Sequence, residues 1–194
     1  MTPLNSRRKV LIVSESDTFF DNISSILPRE QFFPIIHAKN GGEARRQLLE
    51  NDANLLLIDC PLTDEHGVMF AENFSDSNMG IRLLVHADMY DEVCSKVEEQ
   101  GIVTLPKPNS PQMFYMAVKM LASMTFRLEK LEEKNRSLQE KMADIRTVNK
   151  AKWLLIENKK MTESEAHHYI EKKSMDERLS RREAAERIIE KLEL

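Results

Sequence analysis

Side chains that can carry out chemistry follow several short apolar runs in the first half of the chain. The positions directly after these runs hold Ser14, Glu15, Asp59, His86, Ala87 and Lys107. Carboxylates can act as nucleophiles and as ligands of a hard cation, and a lysine ammonium group can neutralise an anion. No nucleophile–base pair and no glycine-rich phosphate loop accompanies them in the sequence, so we do not expect an enzyme active site.

The apolar runs have the composition of strands that are buried on both faces. They span residues 9–14, 32–37, 55–59, 82–86 and 102–105, with segments of helical length between them at 18–27, 42–51 and 89–100. Continuous apolar runs that alternate with helices predict an α/β fold with a doubly wound, five-stranded parallel sheet. Ligands of such sheets bind beyond the carboxyl ends of the strands, where the polar residues above lie.

The second half of the chain has a different pattern. Gly101 is the last glycine and Pro111 the last proline, so no helix breaker follows them. Apolar residues recur every three or four positions over residues 121–149. The heptad a positions are Leu121, Leu128, Asn135, Met142 and Asn149, and the d positions are Met124, Leu131, Leu138 and Ile145. Because residues 127–136 are charged everywhere except at this seam, we predict a coiled-coil linker helix that continues the last helix of the first domain.

Asn135 indicates that the coiled coil pairs with a second copy of the same chain. A lone buried amide at an a position is satisfied only by its counterpart across the seam, so it favours a parallel, in-register homodimer. Lys141 at a g position and Arg146 at the following e position would face each other unfavourably across the pair, so we expect the coil to weaken towards Asn149 and to splay there. An amphipathic helix packed on its own domain is the alternative interpretation.

Two helix-start signals follow Lys160. Residues 162–165 (Thr-Glu-Ser-Glu) and 180–183 (Ser-Arg-Arg-Glu) match the capping-box pattern, in which a hydroxyl and a carboxylate satisfy free N–H groups at a helix start. Each predicted helix is too short to be stable alone. Together with the end of the long helix they predict a small all-α, three-helix unit over residues 148–194, called the tip below.

Composition limits the partners and the location. The chain of 194 residues has a formal net charge of −4, with 41% hydrophobic and 31% charged residues. A chain that is not basic overall can bind nucleic acid only through a local basic patch. Cys60 and Cys94 lie in unrelated contexts, which favours the reduced cytoplasm. The basic start over residues 1–8 precedes only a short apolar run, so we predict neither a signal peptide nor a membrane span.

Residues 55–67 and 107–108 carry a resemblance to a known family. Asp59 closes the third strand, Gly67 follows it, and Lys107-Pro108 comes after the fifth strand. Residues 8–124 therefore resemble the receiver domains of two-component response regulators. The resemblance implies that Asp59 accepts a phosphoryl group beneath Lys107 and a cis proline, that Glu15 and Asp59 hold Mg²⁺, and that a histidine kinase or another input protein is a partner.

The sequence departs from the receiver pattern at several positions. The family usually has two acids after the first strand, where this chain has Ser14 and Glu15. His86 stands in place of the hydroxyl residue that senses the phosphate, and Thr104 in place of an aromatic partner. Two interpretations remain open. Asp59 still accepts phosphate with a weaker metal site, or the domain is a pseudo-receiver whose input is a bound protein or a change in dimerisation.

The tip resembles a second family. The shared features are Ala151-Lys152, Leu155, Met161-Thr162, Glu165-Ala166, Ile170, Lys172, Met175 and Arg178. This ordered pattern is similar to ANTAR domains, which bind paired RNA hairpins in nascent transcripts, usually as dimers, and block terminator formation. The resemblance implies RNA hairpins as the partner, and we expect Lys152, Lys172 and Arg178 to contact them. Trp153 and Tyr169 could stack on bases, although aromatic residues at helical spacing are more often core residues.

These patterns predict a cytoplasmic, signal-responsive transcription antiterminator that acts as a homodimer. It would combine a receiver-like domain (residues 8–124), a coiled-coil linker helix (121–149) and an ANTAR-like domain (148–194). A response regulator whose tip binds DNA is one alternative, and a regulator whose tip and coil bind only proteins is another. The tip pattern does not resemble a helix-turn-helix DNA reader, which favours RNA.

Overall fold

The computed structural model describes residues 7–193, which form two compact units, one ending at Lys130 and the other beginning at Leu131. Residues 1–6 and Leu194 lie outside the described residues. Residues 1–6 belong to the segment for which no signal peptide is predicted, and Leu194 is the last residue of the predicted tip. None of the described helices combines the length and the apolar character that a membrane span requires.

Five parallel strands form the sheet of the first unit. They are β1 (Arg8–Val13), β2 (Phe32–Ala38), β3 (Leu55–Asp59), β4 (Gly80–His86) and β5 (Val103–Lys107). Their spatial order is β2-β1-β3-β4-β5, which confirms the predicted doubly wound parallel sheet. The order changes direction between β1 and β3, so the carboxyl ends of these two strands flank the crevice in which such sheets bind ligands.

Helices cover both faces of the sheet. They are α1 (Asp17–Ile26), α2 (Gly41–Glu50), α3 (Gly67–Glu72), α4 (Tyr90–Val97) and the first part of α5 (Pro111–Lys159). The helix expected at residues 89–100 is shorter, because 3₁₀ turns at Ala87–Met89 and Glu98–Gln100 flank α4. Helix α3 was not predicted, since six residues are too few to show a helical period.

The two faces of the sheet carry separate cores. On one face, Leu83 of β4 packs in a cluster with Phe70 of α3 and Val93 of α4. On the other face, the neighbouring Leu84 belongs to a cluster with Phe114 of α5. This alternation follows from the two-residue period of a strand. Both faces of the strands are buried, which explains why the strands read as continuous apolar runs in the sequence.

Helix α5 packs so closely on β4 that a side chain at Gly80 would collide with it. A Cβ atom at position 80 would lie 2.7 Å from Thr125 Cγ2 and 2.8 Å from Leu121 Cγ. Leu121 is only 4% exposed and belongs to the core of the sheet unit. The prediction that Leu121 starts the coiled-coil seam is therefore wrong, because the sheet takes up the face of α5 on which it lies.

Helix α5 runs without interruption to Lys159 and is followed by α6 (Glu163–Glu177) and α7 (Arg181–Glu193). Both predicted capping boxes are present. The Thr162 N–H donates to the Glu165 carboxylate (2.8 Å), and the Glu165 N–H donates to the Thr162 hydroxyl (3.3 Å). Ser180 and Glu183 exchange the same pair of bonds. These caps fix where α6 and α7 begin.

The tip has its own small core. Its buried side chains are Leu155, Ile170, Ile188, Ala151, Ala166, Ala184 and Ala185. Four of the seven are alanines, so the helices approach closely and only three larger side chains fill the space between them.

Candidate functional site

Three residues at the carboxyl end of the sheet are joined by hydrogen bonds. Lys107 Nζ donates to Asp59 Oδ1 (2.5 Å) and to the backbone carbonyl oxygen of Cys60 (2.6 Å). The Ser14 hydroxyl donates to Asp59 Oδ2 (2.9 Å). The Asp59 side chain is 16% exposed, so a charge-assisted contact and a hydroxyl orient the carboxylate while it stays reachable from solvent.

The backbone around Ser14 is held firmly in place. His37 Nε2 lies 2.8 Å from the Ser14 carbonyl oxygen, and the His37 ring stacks on Phe20 with centroids 4.3 Å apart. Ser14 itself is only 1% exposed. A neutral hydroxyl at this position donates to Asp59, whereas a carboxylate would place a like charge beside it.

Asp64 anchors the loop that follows Asp59 to helix α2. Its two carboxylate oxygens accept the N–H groups of Gly41 and Gly42, each at 2.9 Å. These backbone hydrogen bonds hold the pKa of the Asp64 carboxyl below its ordinary value. A carboxylate at a helix N-terminus is also favoured by the helix dipole. The loop is thus fixed at its far end.

Glu65 fastens the same loop a second time. It forms a two-pronged ion pair with Arg45, whose Nη2 lies 2.8 Å from Glu65 Oε2, and the Arg45 guanidinium lies 4.8 Å from the centre of the Phe70 ring. Sequence reasoning missed both anchors. The signal available for Asp64 was an acidic loop residue combined with the Gly41-Gly42 helix start.

Cys60 contributes its backbone rather than its thiol. Burial raises the pKa of the Cys60 thiol to about 12, so this side chain is neutral at physiological pH and a poor nucleophile.

Two of the expected site residues form no hydrogen bond or ion pair with Asp59 within residues 7–193. These are Glu15 and His86, both of which are exposed. His86 and Lys107 line a cavity of about 640 Å³ beside Phe114. Thr104 is buried, and its hydroxyl has no hydrogen-bond partner within the described residues.

The carboxylate oxygens at this edge of the sheet are ligands of the kind that a hard cation such as Mg²⁺ prefers. Mg²⁺ takes one or two carboxylates, keeps several waters and binds substrate phosphate, and Asp59 and Glu15 can supply the carboxylates. No group of three or more His, Cys, Asp or Glu side chains is placed to hold a metal ion within residues 7–193. A cation here would therefore need water and a donor phosphate to complete its shell.

The residues expected to contact RNA lie on different elements of the tip. Lys152 of α5 is 16% exposed, and its Nζ lies 3.4 Å from Glu163 at the start of α6. Lys172 is exposed on α6. Arg178 follows the end of α6 with a φ of 54°, and its backbone N–H donates to the carbonyl oxygens of Met175 and Ser174 and so closes the helix.

The sheet unit is similar to solved receiver domains. The receiver domain of an HD domain-containing protein from Pseudomonas fluorescens Pf-5 matches with a TM-score of 0.58 at 16% identity, over 67% of this chain and 97% of that one. The chemotaxis response regulator CheY4 of Vibrio cholerae matches with a TM-score of 0.52 at 18% identity, over 59% and 98%. These likenesses establish the receiver fold.

The whole chain is similar to a curated regulator, the transcriptional regulatory protein PdtaR of Mycobacterium tuberculosis. The two are 24% identical over 187 residues, which cover 95% of this chain and 91% of PdtaR. Residues 136–189 match the ANTAR domain family. The chain thus combines a unit of receiver fold with an ANTAR domain, the domain composition of an ANTAR-domain response regulator.

The ANTAR match begins within α5 and includes most of α7. Between α5, α6 and α7 lies a cleft of about 420 Å³ that includes Asn149, Lys152 and His167 in its lining. The other basic residues of the cleft are neutralised locally. Arg181 pairs with Glu171 at 2.7 Å, and Arg182 pairs with nearby acidic side chains. The cleft is therefore not strongly basic, since its arginines are paired with acidic side chains.

The two aromatic residues of the ANTAR domain differ in exposure. Tyr169 packs against the tip core, and Lys159 Nζ lies 4.8 Å from the centre of its ring. Trp153 is 72% exposed. The expectation of a core position is therefore wrong for Trp153, because it lies on the outward side of α5 while Ala151 and Leu155 point into the core.

Proposed function

We propose that this response regulator is a cytoplasmic, signal-responsive transcription antiterminator that binds hairpins in nascent RNA as a homodimer. The observation that carries the proposal is the ANTAR domain at residues 136–189, which shares one unbroken helix, α5, with a domain of receiver fold. A change in the receiver that alters pairing of α5 would alter how two ANTAR domains are presented. The protein would act as a regulator and not as an enzyme.

The exposed seam of α5 supports a dimer. The apolar seam residues that follow Leu121 are each about half exposed: Met124, Leu128, Leu131, Leu138, Met142 and Ile145. An apolar stripe with a heptad period is stabilised when a second helix covers it. Asn135 is exposed on the same stripe, and a partner's Asn135 would satisfy its amide in a parallel, in-register pair. Two linked ANTAR domains would bind two hairpins far more tightly than one, by about 10²–10⁴ in affinity.

The Asp59 geometry supports phosphoryl transfer as the input. A carboxylate oxygen of Asp59 would attack the phosphorus of a phosphodonor, and the donor's leaving group would depart with the bonding electron pair. Lys107, which already contacts Asp59, would then pair with a phosphoryl oxygen. Asp59 and Glu15 would hold Mg²⁺, which supplies charge neutralisation when bound. Because Ser14 occupies a position where receiver domains usually have a second acid, one carboxylate fewer is available to the cation. We therefore propose that the site binds Mg²⁺ weakly.

Phosphorylation is tested by intact mass after incubation with acetyl phosphate and Mg²⁺. We expect the wild type to gain one phosphoryl group and Asp59→Asn to gain none. Asp52→Asn, at an exposed aspartate in the same domain, should label like the wild type. Ser14→Asp should label faster at limiting Mg²⁺, because a second carboxylate strengthens the cation site. An unlabelled wild type, beside a labelled control receiver, would instead establish the pseudo-receiver interpretation.

RNA binding and dimerisation are tested together with variants of the α5 seam. Leu138→Asp places a charge on the apolar stripe and is expected to give monomers in sedimentation and to weaken binding of a twin-hairpin RNA about a hundredfold. Ser137→Asp adds the same charge to an exposed position off the seam and should change neither property. Gel shifts would compare this RNA with duplex DNA of the same sequence. Preference for the duplex would contradict the proposed function and favour a DNA-binding regulator.

A further inference from the structure

Trp153 is a large apolar side chain that the folded tip does not use. It is 72% exposed and takes no part in the tip core. Each residue of an α-helix advances by about 100°, so Trp153 lies roughly 200° around α5 from the buried Ala151 and on the opposite side. Exposed tryptophans of this kind are enriched at binding surfaces, where burial of the indole contributes much of the affinity.

A continuation of the coiled coil does not account for this exposure. With Ile145 at a d position, the next d position falls on Lys152, whose side chain is 16% exposed because it packs within its own tip beside Glu163. A charged side chain that packs against its own tip cannot also pack between the side chains of a partner helix at a d position. The paired part of α5 therefore ends near Asn149, before Trp153 is reached.

The surroundings of Trp153 suit a nucleic-acid base. Asn149, one helical turn earlier, lines the 420 Å³ cleft, and its amide makes no hydrogen bond within residues 7–193. Arg146, about two turns before Trp153 on a similar side of α5, is exposed and has no ion-pair partner among the described residues. Each group suits one part of a nucleotide. The flat indole of Trp153 can stack on a base, the amide of Asn149 can hydrogen-bond to the edge of a base, and the guanidinium of Arg146 can contact a phosphate.

We infer that Trp153 is a stacking platform for an unpaired base of an RNA loop, with Asn149 at the adjacent cleft and Arg146 facing the phosphate backbone. The inference rests on the proposed function and specifies the part of the hairpin that the domain recognises. A loop base is available because it is not stacked within a stem, whereas the bases of a closed duplex are not. The tip would therefore distinguish a stem that carries a loop from the same stem without one.

Trp153 is the single tryptophan of the chain, so its fluorescence reports this contact directly. The probe is a pool of twin stem-loop RNAs with fixed stems and randomised loops, with the same stems closed as plain RNA duplexes for comparison. We expect the full-length wild type to bind the stem-loops with quenching of its fluorescence and to show little quenching with the duplexes.

Variants at Trp153 give the second readout. Trp153→Ala is expected to weaken stem-loop binding about tenfold or more, and Trp153→Phe to keep most of the affinity, because both indole and phenyl rings can stack. His168→Ala removes another exposed ring from the same unit, 77% exposed, and should change affinity less than twofold. Circular dichroism would verify that all variants keep the helical content of the wild type.

The outcomes separate this inference from the function on which it rests. If the wild type binds no member of the pool, both the proposed function and the stacking role are wrong. If the wild type binds while Trp153→Ala binds equally well, or the fluorescence stays unchanged, only the stacking role is wrong. If Trp153→Ala sediments as a monomer while the wild type is a dimer, Trp153 belongs to the contact between copies and the inference is overturned.

Discussion

Leu155→Ala is expected to unfold the tip and to leave the sheet unit folded. Leu155 is completely buried in the tip core, where the only other large side chains among the buried residues are Ile170 and Ile188. Truncation of a buried leucine to alanine costs about 2–5 kcal/mol, depending on how far the cavity collapses. The alanines that complete this core cannot move into the space. Such a cost is comparable to the whole stability that a unit of this size derives from its core.

Hydrogen exchange resolved along the chain would measure this effect. We expect amide protection in α6, α7 and the segment of α5 that packs on them to fall to the level of the unfolded chain, with β1, β3 and β4 unchanged. The proposed RNA binding should be lost at the same time. Leu49→Ala makes the same substitution at a leucine that is 88% exposed and should alter stability by less than about 0.5 kcal/mol. Loss of protection in the sheet as well would show that the two units unfold as one.

The architecture of the sheet unit was predictable because its signals are local and repeated. Each strand is a continuous apolar run, and the residues that end β3 and β5 are the Asp59 and Lys107 that meet in the site. Parallel pairing alone brings those ends to one edge. The helix starts at Thr162 and Ser180 were equally accessible, since a capping box lies within four residues of sequence.

Features that depend on tertiary packing could not be predicted in the same way. Leu121 fits the heptad in the sequence, but the sheet buries it, because a helix that serves both a domain and a coil must divide its faces between them. Trp153 has the spacing of a core residue and is exposed. The anchoring of the site loop by Asp64 joins residues 22 or more positions apart, and no local pattern marks such a contact.

The burial of Arg82 is another consequence of tertiary packing that the sequence did not predict, because Arg82 lies within an otherwise apolar run. It lies in β4 between Leu57 of β3 and Val103 of β5 and is 1% exposed. Alternation along β4 places it on the same face as Gly80, beneath helix α5. Its Nε and Nη1 atoms have no hydrogen-bond partner within the described residues. Burial lowers the pKa of the Arg82 guanidinium from 12.5 to about 10.

Arg82→Met is expected to stabilise the sheet unit. At neutral pH a guanidinium whose pKa falls from 12.5 to about 10 on folding opposes folding by roughly 3 kcal/mol. Methionine fills a similar elongated space without charge or unsatisfied N–H groups, and replacements of buried charges by apolar residues have gained about 1–4 kcal/mol. We therefore expect the sheet unit to unfold at a temperature higher by about 3–15 °C.

The dependence on pH tests the cause of this stabilisation. The folded-state pKa of Arg82 lies below the unfolded value, so the penalty is complete at every pH below about 10 and is relieved only as the pH rises through both values. The gain from Arg82→Met should accordingly be constant between about pH 6 and about pH 9. Arg46→Met, at an exposed arginine of α2, should leave the unfolding temperature unchanged. A less stable Arg82→Met variant would mean that the guanidinium is paired in solution, and in that case its partner, not burial alone, would explain why an arginine occupies the centre of the sheet.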